Sequence, residues 1–181
     1  MGVGDAPVGG FEDVLTEHVY RAAWRYAWHL RPVYEDAQDL LQEALAHAWL
    51  RFHQLRDQRR FKGWLLSIVR TRFLMARRRR ALPVTGDGLP LQEAGAGGSH
   101  TAGRYAGLPP ALASGMLRLP AAQREAVELH YLQELSIEEV AGVLGIRPGT
   151  VKVRLHRARQ RLKRALAADV SGQLSRAERG D

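Results

Sequence analysis

The chain contains no cysteine. Disulfides and thiolate metal sites are therefore excluded, which fits a reducing compartment. No apolar run approaches the roughly 20 residues a membrane-spanning helix requires. The opening stretch MGVGDAPVGG has neither the basic segment nor the apolar core of a signal peptide. The expectation is a cytoplasmic protein with no membrane insertion. Strand-like alternation of useful length is missing, and so is any internal repeat. Signatures of catalysis are missing too: no HExxH, no Gly-rich phosphate loop and no second carboxylate cluster, and the seven histidines are scattered. Neither an enzyme, nor a metal site, nor a cofactor is expected. Acid is also in short supply. Nineteen acidic residues face 27 Lys and Arg, leaving a net charge of +8. Such a balance points to an anionic partner, nucleic acid or a lipid surface.

What is present is helical patterning in two blocks. The chain has 181 residues, 45% of them hydrophobic, enough for one large domain or two small ones. Phe11, Val14, Leu15, Val19, Ala22, Ala23, Tyr26, Ala27 and Leu30 recur at steps of three and four, which predicts a helix that Pro32 ends. A second stripe runs through Ala37, Leu40, Leu41, Ala44, Leu45, Ala48, Trp49 and Phe52. The polar connection HQLRDQRR follows, then a third stripe of Phe61, Trp64, Leu65, Ile68 and Val69, with Phe73 near the same face. All four tryptophans fall in this block, which predicts a compact helical core. Residues 81–108 are rich in glycine and small side chains and lack a period, so they read as a flexible linker of about 30 Å relaxed and about 90 Å stretched. Helical patterning resumes at Pro109 and runs to about Leu166. Residues 1–10 and the tail 167–181 read as disordered. The fold class expected is all-α, with helical domains at 11–80 and 109–166 on a tether.

In the second block the segment GIRPGTVKVRLHRARQRLKR, residues 145–164, carries many cations and no acid. Ser136 and Glu139 form an S-x-x-E capping box that starts one helix, and Ile137, Val140, Ala141 and Leu144 supply its buried face. Gly145 provides a tight turn, and Pro148 suits the first turn of the next helix. There Val151, Leu155, Ala158 and Leu162 lie within about 60° of one another at 100° per residue. They face inward, and Lys152, Val153, His156, Arg157 and Gln160 face out. This is the helix-turn-helix plan, in which the outer face enters a major groove. The Gly149 and Thr150 amides near the helix start suit a phosphate. A solvated basic helix or a membrane-surface helix would need neither the cap, nor the turn, nor the stripe in register.

The first block separates its charges. Glu35, Asp36, Asp39 and Glu43 lie between Pro32 and Arg51, a stretch with no intervening Lys or Arg. From Phe61 to Arg80 the sign reverses, with Lys62, Arg70, Arg72 and Arg77 to Arg80 and no acid. Either the two helices neutralise each other, or the acidic one meets a basic protein surface and the basic one meets nucleic acid. Trp64 and Phe73 lie among the cations, where aromatics can stack on unpaired bases. At its helical spacing Trp64 reads first as a core residue. Asp36, Asp39 and Glu43 share a face that His47 extends.

Taken in order, these segments resemble a known family. EDAQDLLQEALAHAWLRF followed by FKGWLLSIVRTRFLMARRRR resembles region 2 of the sigma-70 family of bacterial transcription initiation factors. LPAAQREAVELHYLQELSIEEVAGVLGIRPGTVKVRLHRARQRL resembles region 4. With only a linker between them, the chain is similar to the extracytoplasmic-function (ECF) group. The resemblance implies that Asp36, Asp39, Leu40, Gln42 and Glu43 dock on the β′ clamp helices of core RNA polymerase, whose β flap takes region 4. It also implies that His53, Arg56, Arg59, Arg60, Lys62, Trp64, Arg70, Arg77 and Arg78 bind the −10 promoter element and its displaced strand. Arg147, Thr150, Lys152, Val153, Arg154, His156 and Arg157 would bind the −35 element. It implies, further, an anti-sigma factor as a partner, promoter DNA as the ligand and a place at the bacterial nucleoid. The two elements lie about two helical turns apart, roughly 70 Å, which an extended linker spans. Thr71 and Met75 stand where the family usually has Asn and Asp, and Arg147 replaces the common Ser cap. The alternative is a stand-alone helix-turn-helix regulator that binds an operator without polymerase.

Overall fold

The computed structural model describes residues 10–81, 105 and 107–177, with side chains as far as 79 in the first stretch and 167 in the last. The segment 1–10 expected to be disordered, apart from Gly10, and most of the expected linker lie outside the described residues. All regular structure among the described residues is helical. The described residues fall into two compact units, the first taking in 10–81 together with Gly142–Gly145 and the second 105, 107–141 and 146–177.

In the first unit the single N-terminal stripe is broken in two. Helix α1 covers Phe11–Val14, and α2 covers Glu17–Leu30. The break falls at Leu15–Thr16 because Thr16 leaves helical geometry to cap α2, its hydroxyl accepting from the Val19 N–H at 3.4 Å. Pro32 excludes helical geometry at the residue before it, and Arg31 is extended at φ −135°. Helix α3, Tyr34–Arg51, starts with Glu35 and Asp36 in its first turn, where carboxylates suit the positive end of the helix dipole. Two 3₁₀ turns, Phe52–Gln54 and Gln58–Arg60, lead into α4, Phe61–Ala81. Helices α2, α3 and α4 pack pairwise on one another.

Their core is a seam of alanines filled by a few large side chains. Ala22, Ala23, Ala27, Ala37, Ala44 and Ala48 are buried, and Tyr26, Leu41, Phe61, Leu65, Leu66 and Val69 plug the space between. The tryptophans are not that core. Trp24, Trp28 and Trp64 are half-buried, and Trp49 is 59% exposed. The reason is geometric: the buried line of α3 runs through Ala37, Leu41, Ala44 and Ala48, and Trp49 lies about 120° around the helix from Ala37. It packs at the rim instead, stacked on Phe11 at 6.4 Å, and Phe11 meets Phe52 and Phe61 edge-on.

In the second unit α5 (Pro110–Arg118) and α6 (Ala121–Val127) both pack on α8 (Pro148–Ala177). Gly115 sits where α5 crosses α8: a Cβ there would lie 3.0 Å from Leu162 Cδ2. One π-helical turn, Glu128–Leu132, extends α6 and brings the chain round to α7, Ile137–Leu144. The turn is held by Leu135 N–H on the Leu129 carbonyl at 3.1 Å and by His130 Nδ1–H on the Leu135 carbonyl at 2.7 Å. Two boundaries differ from the sequence reading. Tyr105, placed in the linker, is 5% exposed and donates its hydroxyl to buried Glu128, so the second unit already includes it. The final helix passes Leu166 and reaches Ala177, the last described residue. A helix already nucleated needs only propagation, and Ala, Leu, Gln and Arg supply it.

Candidate nucleic-acid interface and acidic face

The turn before α8 is built by three local devices. Ser136 and Glu139 form the reciprocal capping box, with Glu139 N–H on Ser136 Oγ at 3.2 Å and Ser136 N–H on Glu139 Oε2 at 2.8 Å. At the other end of α7, Gly145 takes φ +65° and Ile146 N–H reaches back to the Ala141 carbonyl at 3.1 Å. Pro148 then opens α8, with the Thr150 and Val151 amides on the Arg147 carbonyl at 2.9 and 3.3 Å.

The two faces of α8 separate as the spacing predicts. Val151, Leu155 and Ala158 are buried at 0, 3 and 0% exposure, and Leu162 is half-buried. Lys152, Val153, His156, Arg157 and Gln160 are exposed, as are Arg147 and Thr150, while Arg154 is half-buried at the edge. A basic, solvent-facing surface is thus held on a helix anchored along its opposite side.

In the first unit the acidic and basic helices are adjacent and partly neutralise each other. Arg72 Nη1 on α4 meets Glu43 Oε1 on α3 at 3.1 Å. Arg31 Nη1 meets Asp36 Oδ2 at 3.2 Å, and its guanidinium also lies 5.7 Å from the Phe73 ring centre. Leu40, expected among the docking residues, is 6% exposed and belongs to the core beneath the acidic face. Glu35, Asp39 and Gln42 are exposed, and neither Glu35 nor Asp39 has an ion pair among the described residues. His47, one turn beyond Glu43, has its Nδ1 buried without a hydrogen bond. Burial, and then the charges of Arg72 and Arg51, hold its imidazole below the usual range, against a smaller opposing pull from Glu43.

The connection between α3 and α4 presents His53, Arg56, Arg59 and Arg60, all exposed. Leu55, 8% exposed, pins its middle into the core. Asp57 caps the second turn, accepting from the Arg59 N–H at 3.0 Å and pairing with Arg60 at 3.5 Å. On α4 Lys62 and Arg70 are half-buried, whereas Arg77 and Arg78 are exposed. Trp64 is half-buried with its ring tilted on Phe61 at 5.9 Å, so one face is committed to packing. Thr71 turns its hydroxyl to the Ser67 carbonyl at 2.8 Å, and Met75 is 46% exposed. Sequence reasoning did not single out Arg31, Asp57 and Tyr105. Of these only Asp57 had a local signal, an Asp ahead of a short turn.

No helix among the described residues is long and apolar enough to cross a membrane. Residues 15–82 match the family model for sigma-70 region 2, and residues 111–162 match that for sigma-70 region 4. The ECF RNA polymerase sigma factor SigE of Mycolicibacterium smegmatis is 35% identical over 90% of this chain, which spans 63% of that relative's length. The RNA polymerase sigma-E factor of Streptomyces coelicolor is 36% identical, with 81% of each chain covered. Among solved structures, the sigma factor RpoE of Bartonella quintana, in complex with the anti-sigma factor NepR, superposes with a TM-score of 0.60 at 28% identity, covering 83% of this chain and 93% of that one. Both regions occur here in one chain, which sets aside the stand-alone regulator. The chain belongs to the sigma-70 family of RNA polymerase sigma factors, in its extracytoplasmic-function group.

Proposed function

We propose that this chain is a bacterial transcription initiation factor that binds core RNA polymerase and directs it to promoters by contacts at the −10 and −35 elements. The reading rests most on α8, which buries Val151, Leu155 and Ala158 while exposing Lys152, Val153, His156 and Arg157 within the segment matching sigma-70 region 4. Those exposed residues face base edges, with Arg147, Thr150 and Arg154 on phosphates. In the first unit Asp39, Glu35 and Gln42 form the accessible part of the surface that docks on the β′ clamp helices. Asp36 and Glu43 act there through exchangeable pairs with Arg31 and Arg72. His53, Arg56, Arg59 and Arg60, with Arg77 and Arg78, follow the −10 region and its displaced strand. Contacts to that strand offset the cost of separating the duplex, so the role is non-catalytic and cytoplasmic. The Bartonella relative is held by an anti-sigma factor, and such a factor is the regulator proposed here, with the β flap as the dock for the second unit.

The test is reconstitution. Purified chain mixed with core polymerase should co-elute and give promoter-specific transcripts. Asp39→Arg places a cation on the acidic face and should cut co-elution with core at least tenfold while leaving affinity for plain duplex DNA within twofold. A wild-type chain that never co-elutes with core overturns the reading.

A further inference from the structure

Helix α8 continues its basic surface past the residues assigned to promoter reading. At 100° per residue two parallel rows run along the exposed side. Lys152, His156, Arg159 and Lys163 make one row, and Val153, Arg157, Gln160 and Arg164 make the other. All eight are exposed. No acidic residue occurs from Val140 to Ala168, and Arg159, Lys163 and Arg164 have no ion pair or hydrogen bond among the described residues. Like charges at i and i+4, as at Arg159 and Lys163, oppose helix formation. Something outside the helix offsets that repulsion.

The packing fixes where these cations point. The opposite side of this half of α8 lies on α5: Leu162 Cδ2 and Ala165 Cβ stand 3.0 and 3.7 Å from where a Gly115 Cβ would be. Gly115 has no Cβ, so the helices approach closely and the Arg159, Lys163 and Arg164 edge is turned to solvent. Position along the axis then decides what they can reach. Recognition helices use their N-terminal residues for base edges, and Arg164 lies about 18 Å beyond Lys152 at 1.5 Å per residue. The groove curves away over that length, leaving its phosphate wall.

We propose that Arg159, Lys163 and Arg164 form a second, sequence-independent contact that grips DNA phosphates flanking the bases read by the first turns of α8. This rests on the reading of α8 as the promoter-reading helix. Three phosphate contacts contribute about 2.7 to the slope of log affinity against log salt concentration. The test compares the full chain with the triple variant R159Q/K163Q/R164Q, each with core polymerase on a promoter fragment and each alone on plain duplex. Wild type should lose about fortyfold more affinity than the variant between about 50 and about 200 mM salt. The ranking of −35 sequences should be the same for both. Neutral methylphosphonate linkages flanking the −35 bases should flatten the wild-type slope more than that of the variant, which keeps only the phosphate contacts of Arg147, Thr150 and Arg154. Equal slopes, or an altered −35 ranking, overturn the proposal. So does weaker binding of the variant to core without DNA, which would mean that the cations meet an acidic protein surface. If wild type forms no promoter complex with core, the broader reading fails, and the slopes on plain duplex still decide whether these cations bind phosphate.

Discussion

His47 lies among charges it cannot easily join. Arg51 and Arg72 are near, Glu43 of the Arg72 pair opposes them, and the His47 Nδ1 is buried with no hydrogen bond among the described residues. With its pKa lowered in the folded state, the unfolded chain takes up a proton at a higher pH than the native one. Stability therefore falls as pH drops through the unfolded value of about 6.5 toward the lower native one, and is unaffected by this group at higher pH. The melting temperature of wild type should decrease between pH 7.5 and 5.5. That of His47→Gln, neutral throughout, should decrease less over the same range. Parallel curves would show that His47 is not coupled to folding. The acidic face is split by neighbouring cations: Glu43 is held by Arg72 of α4 and Asp36 by Arg31 at the end of α2, which makes exposed Asp39 the side chain whose reversal most directly tests docking.

At the level of elements, the turn between α7 and α8 depends on one backbone conformation and one cap. A Cβ at Gly145 would meet no atom within 4 Å, so the cost of Gly145→Ala comes from its φ of +65° alone. That cost is about 1 kcal/mol. Ser136→Ala removes the hydroxyl that satisfies the Glu139 amide and costs a similar amount, about 1 kcal/mol. Urea denaturation should show lower midpoints for both variants with unchanged slope. A Gly145→Ala midpoint equal to wild type would mean that the turn relaxes to another geometry.

For the whole molecule, two compact units share one chain, and the proposed function needs both on one promoter. A tether supplies an effective concentration on the order of millimolar. A protease site placed between residues 82 and 104, the span whose composition reads as a flexible linker, and cut after purification removes that advantage. Run-off transcription at about micromolar factor should then fall at least tenfold. Full activity after cleavage would show that each unit is placed by polymerase independently of the other.

The spacing of Val151, Leu155 and Ala158, the capping box at Ser136 and the glycine turn were legible because each is a local relation, complete within a few residues. The order of the helices and the identity of the basic face followed from the same periodicity. Burial of the tryptophans was not legible. Periodicity places a residue on a face, but the space left between two alanine-lined helices and the large side chains of α4 decides whether an indole fits. The partner of Glu43, and the anchoring of Tyr105 on Glu128, were hidden for a related reason: Glu43 and Arg72 are 29 positions apart, and Tyr105 and Glu128 are 23. The sequence by itself therefore determined the elements, their caps and the sign of each face. Only the tertiary structure decided which of the acids stay free for a partner and where the second unit begins, because pairing and burial are set by neighbours that no local spacing identifies.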